Sequence, residues 1–300
     1  EEILRPKVET GHVVVTQGFL GATEDGIPTT IGRGGSDYSA AIIGAALNVE
    51  EIQIWTDVDG ILTCDPRVVE DARLLKEVTF REAAELAFFG AKVLHPSTIL
   101  PAVKKNIPVR VLNTKRPDLE GTVIVSKRTS ADASVVKALA FKGGITLINI
   151  DSTRMLGTHG FLAKVFEVFA KYEKSVDVIA TSEVSLSLTV DSDLNLEAIF
   201  SELRLIADVE VARSKAIFCV VGENLKSGKG VIARIFSTLD KHDIAVGMIS
   251  LGASEINVTF VVDESEIKSA ARALHDEFFS EETQHDQCAN VEYLHLLPYI

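Results

Sequence analysis

Apolar residues fall into two rhythms along this chain. From residue 11 to residue 128, short strand-like runs alternate with runs of helical period. His12 to Gln17 and Ile27 to Ile31 read as strands, Asp37 to Leu47 as a helix rich in Ala and Ile, and Glu51 to Thr56 as a buried strand ending at Asp57. Phe80 to Phe88 and Thr98 to Lys105 carry apolar residues at helical spacing, and Val109 to Leu112 and Thr122 to Ser126 are again strand-like. Strands separated by helices predict an α/β sheet that takes ligands at the carboxyl ends of its strands.

Beyond the polar stretch Lys127 to Asp132, which reads as a linker, the pattern becomes an internal repeat. Residues 161–190 align with residues 231–260 without a gap at an offset of 70. Ala163/Ala233, Phe166/Phe236, Lys171/Lys241, Val176/Val246, Ile179/Ile249 and Thr189/Thr259 are identical pairs. The first copy predicts strand Ile145–Ile150, helix Phe161–Tyr172, strands Val176–Ser182 and Ser185–Val190, helix Leu196–Arg204 and strand Val209–Arg213. The second predicts Ile217–Val221, Val231–His242, Ile244–Ser250, Ile256–Val262 and Glu266–Phe278. The order βαββαβ is a ferredoxin-like unit. Two such units side by side can share a sheet and form small-molecule sites where they meet.

Composition narrows the partners. The balance of 30 Lys+Arg against 43 Asp+Glu gives a net charge of −13, with no basic stretch, which argues against nucleic acid. No apolar run is long enough for a membrane span, and no signal-peptide pattern is present. Cys64, Cys219 and Cys288 form no CxxC pair and leave an odd number, which fits a reducing cytoplasm. His285, Cys288 and His295 match no zinc spacing, so no metal site is expected in the tail 281–300, which reads as a docking or disordered end.

The richest chemistry lies in Gly32-Arg33-Gly34-Gly35-Ser36-Asp37, between a strand and a helix. Its glycines permit φ > 0 and close backbone approach. Ser36 or Asp37 is suited to cap the helix, whose free N–H groups and dipole favour an anion. Arg33 adds a fork-shaped cation for a carboxylate or phosphate. No Lys-Ser/Thr follows as in a Walker loop, and the third glycine of a dinucleotide fingerprint is missing. Alone, the motif is equally consistent with a glycine turn.

Taken with Thr16-Gln17-Gly18-Phe19, Trp55-Thr56-Asp57-Val58-Asp59-Gly60, Asp65-Pro66-Arg67 and Phe89-Gly90-Ala91-Lys92-Val93-Leu94-His95-Pro96, however, the chain resembles the aspartate kinases from residue 11 to about residue 280. The resemblance implies the C-terminal portion of an amino-acid-kinase α/β sandwich followed by two ferredoxin-like ACT domains. The implied divisions are 1–128 for the kinase part, 129–144 for a linker and a strand joining the second ACT unit, 145–214 and 215–280 for the two units, and 281–300 for a tail.

It also implies an activity: ATP with Mg2+ phosphorylates the β-carboxylate of L-aspartate, the first step toward lysine, threonine and methionine. Such transfer needs positioning and charge neutralisation more than covalent chemistry. By resemblance Arg33, Ser36 and Asp37 form the catalytic set, and Phe19, Arg33, Gly34, Gly35, Ser36 and Asp37 hold aspartate. Thr56, Asp57, Arg67 and Lys92 meet the nucleotide. Arg67 has an alternative as the surface partner of Asp65 or Glu70, and Lys92 as an ordinary solvated lysine. Asp59 and Leu62 stand where close relatives often carry proline and tyrosine. The family's Lys-Phe-Gly-Gly-Thr-Ser run and an upstream glutamate are absent, so the expectation is a truncated polypeptide that is inactive alone.

The runs Met155 to Leu162 and Ser175 to Ser185 are most similar to the lysine-sensitive, monofunctional branch. There the matching positions for effector binding are Met155, Gly160, Phe161, Leu162, Asp177, Thr181 and Ser182. Asp177 can hold an ammonium group, whereas Gly247, its counterpart in the second copy, cannot. L-lysine as effector, binding across a homodimer of first ACT units, is the implied regulation. A different reading is a stand-alone regulatory module that binds amino acids without catalysis. A third is a kinase acting on glutamate, against which the tandem repeat and the Phe89 to Pro96 run argue.

Overall fold

The computed structural model describes residues 2–32, 34–90, 93–94, 96–128, 135–155, 159–225, 227–251 and 256–280. It divides into two compact units, Glu1–Ala138 and Leu139–Ile300. Among the described residues no helix is long and apolar enough to cross a membrane.

The first unit contains α1 (Arg5–Glu9), β1 (Leu20–Ala22), β2 (Pro28–Thr30), α2 (Gly35–Leu47), β3 (Ile52–Thr56), β4 (Glu77–Thr79) and α3 (Phe80–Phe88). A 3₁₀ turn over Pro96–Ile99 then leads into α4 (Leu100–Lys105), β5 (Val109–Asn113) and β6 (Thr122–Val125). Four strands form a sheet in the order β3-β5-β6-β4, with β3 parallel to β5 and β4 parallel to β6. Strands β1 and β2 form a separate antiparallel pair. Val78, Val109, Val111 and Ile124 are fully buried in the sheet, and α2 and α4 pack together. A Cβ on Gly44 of α2 would stand 2.6 Å from Ile52 Cγ1, so glycine lets this helix lie close on β3.

His12 to Gln17 is not a strand: no β pairing forms there among the described residues. A β-branched run satisfies strand propensity, but a ladder also needs a neighbour to receive its hydrogen bonds. Conversely, α1, β1 and β4 are present where no element was expected. The expected helix Thr98–Lys105 is a 3₁₀ turn followed by α4.

The second unit runs β7 (Ala138–Asp151), α5 (Phe161–Lys171), β8 (Ile179–Thr181), β9 (Ser185–Val190), α6 (Leu196–Leu203) and β10 (Asp208–Val221). It continues through α7 (Val231–Lys241), β11 (Met248–Ser250), β12 (Asn257–Asp263) and α8 (Ile267–Phe279). One sheet has the order β11-β12-β10-β7-β9-β8. Strands β7 and β10, and helices α5 and α7, begin 70 residues apart. Each of these strands spans 14 residues, so the strands expected at 209–213 and 217–221 are one continuous strand. The identical offset breaks later. Asp177 N–H donates to Thr189 O at 2.9 Å, but Gly247 N–H donates to Val261 O at 2.8 Å. The second hairpin is therefore longer, and Thr259 is not the structural counterpart of Thr189.

Helix α5 shows why the repeat folds this way. Phe161, Val165 and Phe169 recur every fourth residue and are buried against Ile148, Ile150, Leu186 and Leu188. Each such side chain contributes about 1.5–3 kcal/mol of burial. In the second copy Phe218 and Phe260 stack at 5.5 Å, with Phe236 edge-on to Phe260.

Candidate functional site

The first cluster forms where the Gly18-Phe19 turn sits on the start of α2. Phe19 takes φ = +70°, an uncommon backbone state for a bulky residue. Its N–H donates to Ser39 Oγ at 3.1 Å, and Ser39 Oγ donates to Gly35 O at 2.8 Å. Its carbonyl accepts from Ile31 N–H at 2.8 Å. A Cβ on Gly35 would lie 3.0 Å from Phe19 Cδ2, and one on Gly18 would lie 3.2 Å from Ser36 Cα. Small residues thus allow the turn and the helix start to touch.

The helix is not capped by Ser36 or Asp37 as the sequence suggested. Gly34 is the N-cap, in the left-handed region at φ = +70°, and makes no side-chain cap bond. Ser36 is exposed, and Asp37, half-buried in the first turn, has its carboxyl pushed above the ordinary range by burial. This 13-residue helix has no side-chain cap, its Gly35 N–H donates to Gly32 O at 3.0 Å, and it presents the positive end of its dipole here. Arg33 lies outside the described residues, as does Lys92.

The second cluster is built on parallel strands β3 and β5, whose last residues Thr56 and Asn113 are paired. Thr114 donates to Thr56 O from N–H at 2.8 Å and from Oγ1 at 3.0 Å. Asn113 Nδ2 and Arg116 Nη1 each donate to Asp59 at 2.6 Å. Thr56 Oγ1 donates to Asp57 Oδ1 at 3.2 Å. Adjacent carboxyl ends of parallel strands are where an open α/β sheet takes ligands. Arg67 pairs with Asp65 at 2.6 Å, is 84% exposed, and holds the Asp65 carboxyl below its usual range.

The third cluster is an open depression of about 420 Å³ beside α5. Met155, His159, Gly160, Phe161, Leu162, Ala163, Thr181, Ser182 and Glu183 line it. Six of the seven expected effector residues are therefore together. Gly160, the N-cap of α5 at φ = +79°, opens the helix without a side-chain cap. Ser182 closes a tight turn, with its Oγ 2.6 Å from Ser185 Oγ.

The seventh residue, Asp177, is not on that lining. Asp177 N–H and Val178 O both bond Thr189, a bulge that precedes β8. The Asp177 side chain is 6% exposed, and its Oδ2 makes no hydrogen bond among the described residues. Lys142 Nζ stands 3.6 Å from that oxygen and 2.8 Å from Asp191 Oδ2. Burial raises the Asp177 carboxyl above its ordinary 3.8, with Lys142 opposing, while Lys142 holds Asp191 below it.

Sequence reasoning missed Ser39, Asn113, Thr114, Lys142 and Asp191. Ser39, four residues after Gly35 on the helix, had a readable signal, since i and i+4 share a face. Lys142 had none.

Comparison with known proteins supplies the context for these clusters. Residues 1–113 match the amino acid kinase family, and residues 218–278 match an ACT domain. Aspartokinase 1, chloroplastic, of Arabidopsis thaliana is 44% identical over 277 residues, 89% of this chain and 48% of that protein. The chain thus spans about half the length of that relative. The structure of Escherichia coli aspartokinase III in complex with aspartate and ADP, described as an R-state, is 41% identical, with a TM-score of 0.78 over 92% of this chain and 63% of that one. The same enzyme in complex with lysine and aspartate, described as a T-state, gives a TM-score of 0.79 over 92% and 62% at 41% identity.

Proposed function

The chain belongs to the aspartokinase family, and from that premise we propose that it works as an aspartate kinase regulated by L-lysine. The β-carboxylate of L-aspartate attacks the γ-phosphorus of Mg-ATP, a phosphate–oxygen bond breaks, and 4-phospho-L-aspartate and ADP leave. The observation that carries this reading is the seating of the Gly18-Phe19 turn on the start of α2. Main-chain N–H groups there, with Arg33, suit the substrate α-carboxylate. Thr56 and Asp57 at the end of β3 suit the nucleotide, and Lys92 its phosphates. Cys64 and Cys219 are buried thiols outside any disulfide among the described residues, which fits a reducing compartment such as the cytoplasm.

No Lys-Phe-Gly-Gly-Thr-Ser run occurs within these 300 residues. We therefore expect no product from them alone; phospho-aspartate formation by this polypeptide would refute that expectation.

The regulatory reading rests on the depression beside α5 and on Asp177. Asp177 and Ser182 are five residues apart on an extended run, about 16 Å at about 3.3 Å per residue. One amino acid in one chain does not reach both. β8 is the last strand in the sheet order, and Ile179 and Val184 beside its edge are 41% and 42% exposed. The Ile179 carbonyl already accepts from Ser250 Oγ at 3.0 Å, so a second copy would meet this face through the exposed Ile179 and Val184 side chains and not by adding a strand at Ile179. A homodimer with effector sites across this face would bury both apolar residues and bring Asp177 of one copy to the depression of the other. Lysine would then shift the population toward an inhibited arrangement.

A second reading, an amino-acid-binding module without catalysis, is favoured by the same cluster. Thermal unfolding with L-lysine, and with threonine and aspartate as controls, tests the sensor. At 100 times its dissociation constant a ligand adds about 2.7 kcal/mol. A shift with lysine alone supports the effector assignment. No shift with any amino acid would refute a lysine site in this chain.

A further inference from the structure

The buried carboxylate at Asp177 already faces an ammonium group of its own chain. Lys142 comes from β7, Asp177 from the bulge before β8, and Asp191 from the end of β9. The Lys142 ammonium bonds Asp191 at 2.8 Å but lies 3.6 Å from Asp177 Oδ2, beyond hydrogen-bond length. The nearby Lys174 is turned away, bonded to the carbonyls of Ser192 and Leu194. A carboxylate 6% exposed with an unbonded oxygen is a costly arrangement unless a partner completes it. Lys142 compensates the charge without supplying the bond.

We infer that Lys142 is an internal occupant of the ammonium subsite at Asp177, retained by Asp191 when a ligand ammonium takes its place. The inference rests on the effector reading above. A tethered cation is present at high effective concentration, so it competes with every ammonium ligand and sets the concentration at which the site fills. Asp191 works in the opposite sense: it draws Lys142 off Asp177 and favours the ligand. Displacement sacrifices only the longer of the two contacts. A purely structural Lys142, by contrast, would leave ligand affinity unchanged or lower it when removed.

Calorimetric titration of L-lysine into the 300-residue chain tests this, with Lys142→Met and Asp191→Asn as the variants. Lys142→Met should bind lysine roughly 3- to 10-fold more tightly, the range of an exposed to half-buried ion pair. Asp191→Asn should weaken binding by a similar factor, because Lys142 then rests on Asp177 alone. Lys142→Gln serves if the Met variant does not fold. Unchanged or weaker binding in the Lys142 variant, or equal or tighter binding in Asp191→Asn, overturns the inference while leaving the lysine site standing. No binding by the unaltered chain removes both.

Discussion

Arg128 forms an ion pair with Glu82, and so ties the stretch after β6 to the first turn of α3. Glu82 is fully buried and also closes a capping box: its Oε2 accepts from Thr79 N–H at 2.8 Å, and Thr79 Oγ1 accepts from Glu82 N–H at 3.3 Å. Glu82→Ala should lower the stability of the first unit by about 3–5 kcal/mol, because it strands a guanidinium that is largely out of water. Arg128→Met should cost a comparable amount by stranding Glu82. The double variant Glu82→Leu/Arg128→Met should lie closer to the unaltered chain than either single change. Urea unfolding gives all three values; additive losses would show that the two side chains do not act together.

The contact of Phe19 with Gly35 leaves no room for a side chain on the helix. Gly35→Ala sets a methyl 3.0 Å from Phe19 Cδ2 and 3.1 Å from Ile31 Cβ. Overpacking of this kind costs about 1–3 kcal/mol. The variant should remain folded, since Gly35 is within a helix, but the Gly18-Phe19 turn must move. Its functional cost should fall on aspartate: in the full-length kinase, KM for aspartate rises while KM for ATP holds. A rise for ATP alone would place the turn on the nucleotide side.

Asp177 should trade stability for binding. Its folded carboxyl lies above the ordinary 3.8, chiefly through burial. Its favourable contribution is therefore complete below the unfolded pKa and is lost as pH rises through the folded value. Lys142 and, from farther off, Lys174 oppose this shift, while the Asp191 carboxylate adds to it. Asp177→Asn should flatten that part of the pH dependence, keep or raise the unfolding midpoint at pH 7, and remove the response to L-lysine. Melting curves from pH 4 to 8 check each statement. A midpoint lowered at pH 7 with the lysine response intact would make Asp177 structural.

Cys64 should be inert in the folded chain. It is 4% exposed, and burial pushes its thiol up to about 12, leaving little thiolate at neutral pH. Cys219, wholly buried, should behave likewise. Alkylation with iodoacetamide followed by peptide mass mapping should label both only after denaturant is added. Labelling of Cys64 in the native state would reveal local opening near Asp65 and Arg67.

Much of this molecule was legible in its sequence. The 70-residue repeat announced two related halves, and their long strands and first helices begin at that spacing. Period-4 burial along α5 followed from Phe161, Val165 and Phe169 alone. Six of the expected effector residues lie together because Gly160, Phe161 and Leu162 open α5 while Thr181 and Ser182 lead into the adjacent hairpin turn.

Pairing was decided elsewhere. Val13, Val14 and Val15 have strand propensity but form no ladder among the described residues, because a ladder needs a partner that local pattern does not encode. The two-residue lengthening of the second hairpin was hidden by a gapless alignment whose matching threonines are not structural counterparts. Likewise, Lys142 meets Asp177 and Asp191 across 35 and 49 residues of chain. Periodicity along a sequence reports the face a residue presents, since neighbours three or four apart share one local geometry. Which charge meets which across the sheet depends on strand order and register, and these are fixed only when distant segments compete for the same hydrogen bonds and the same buried space.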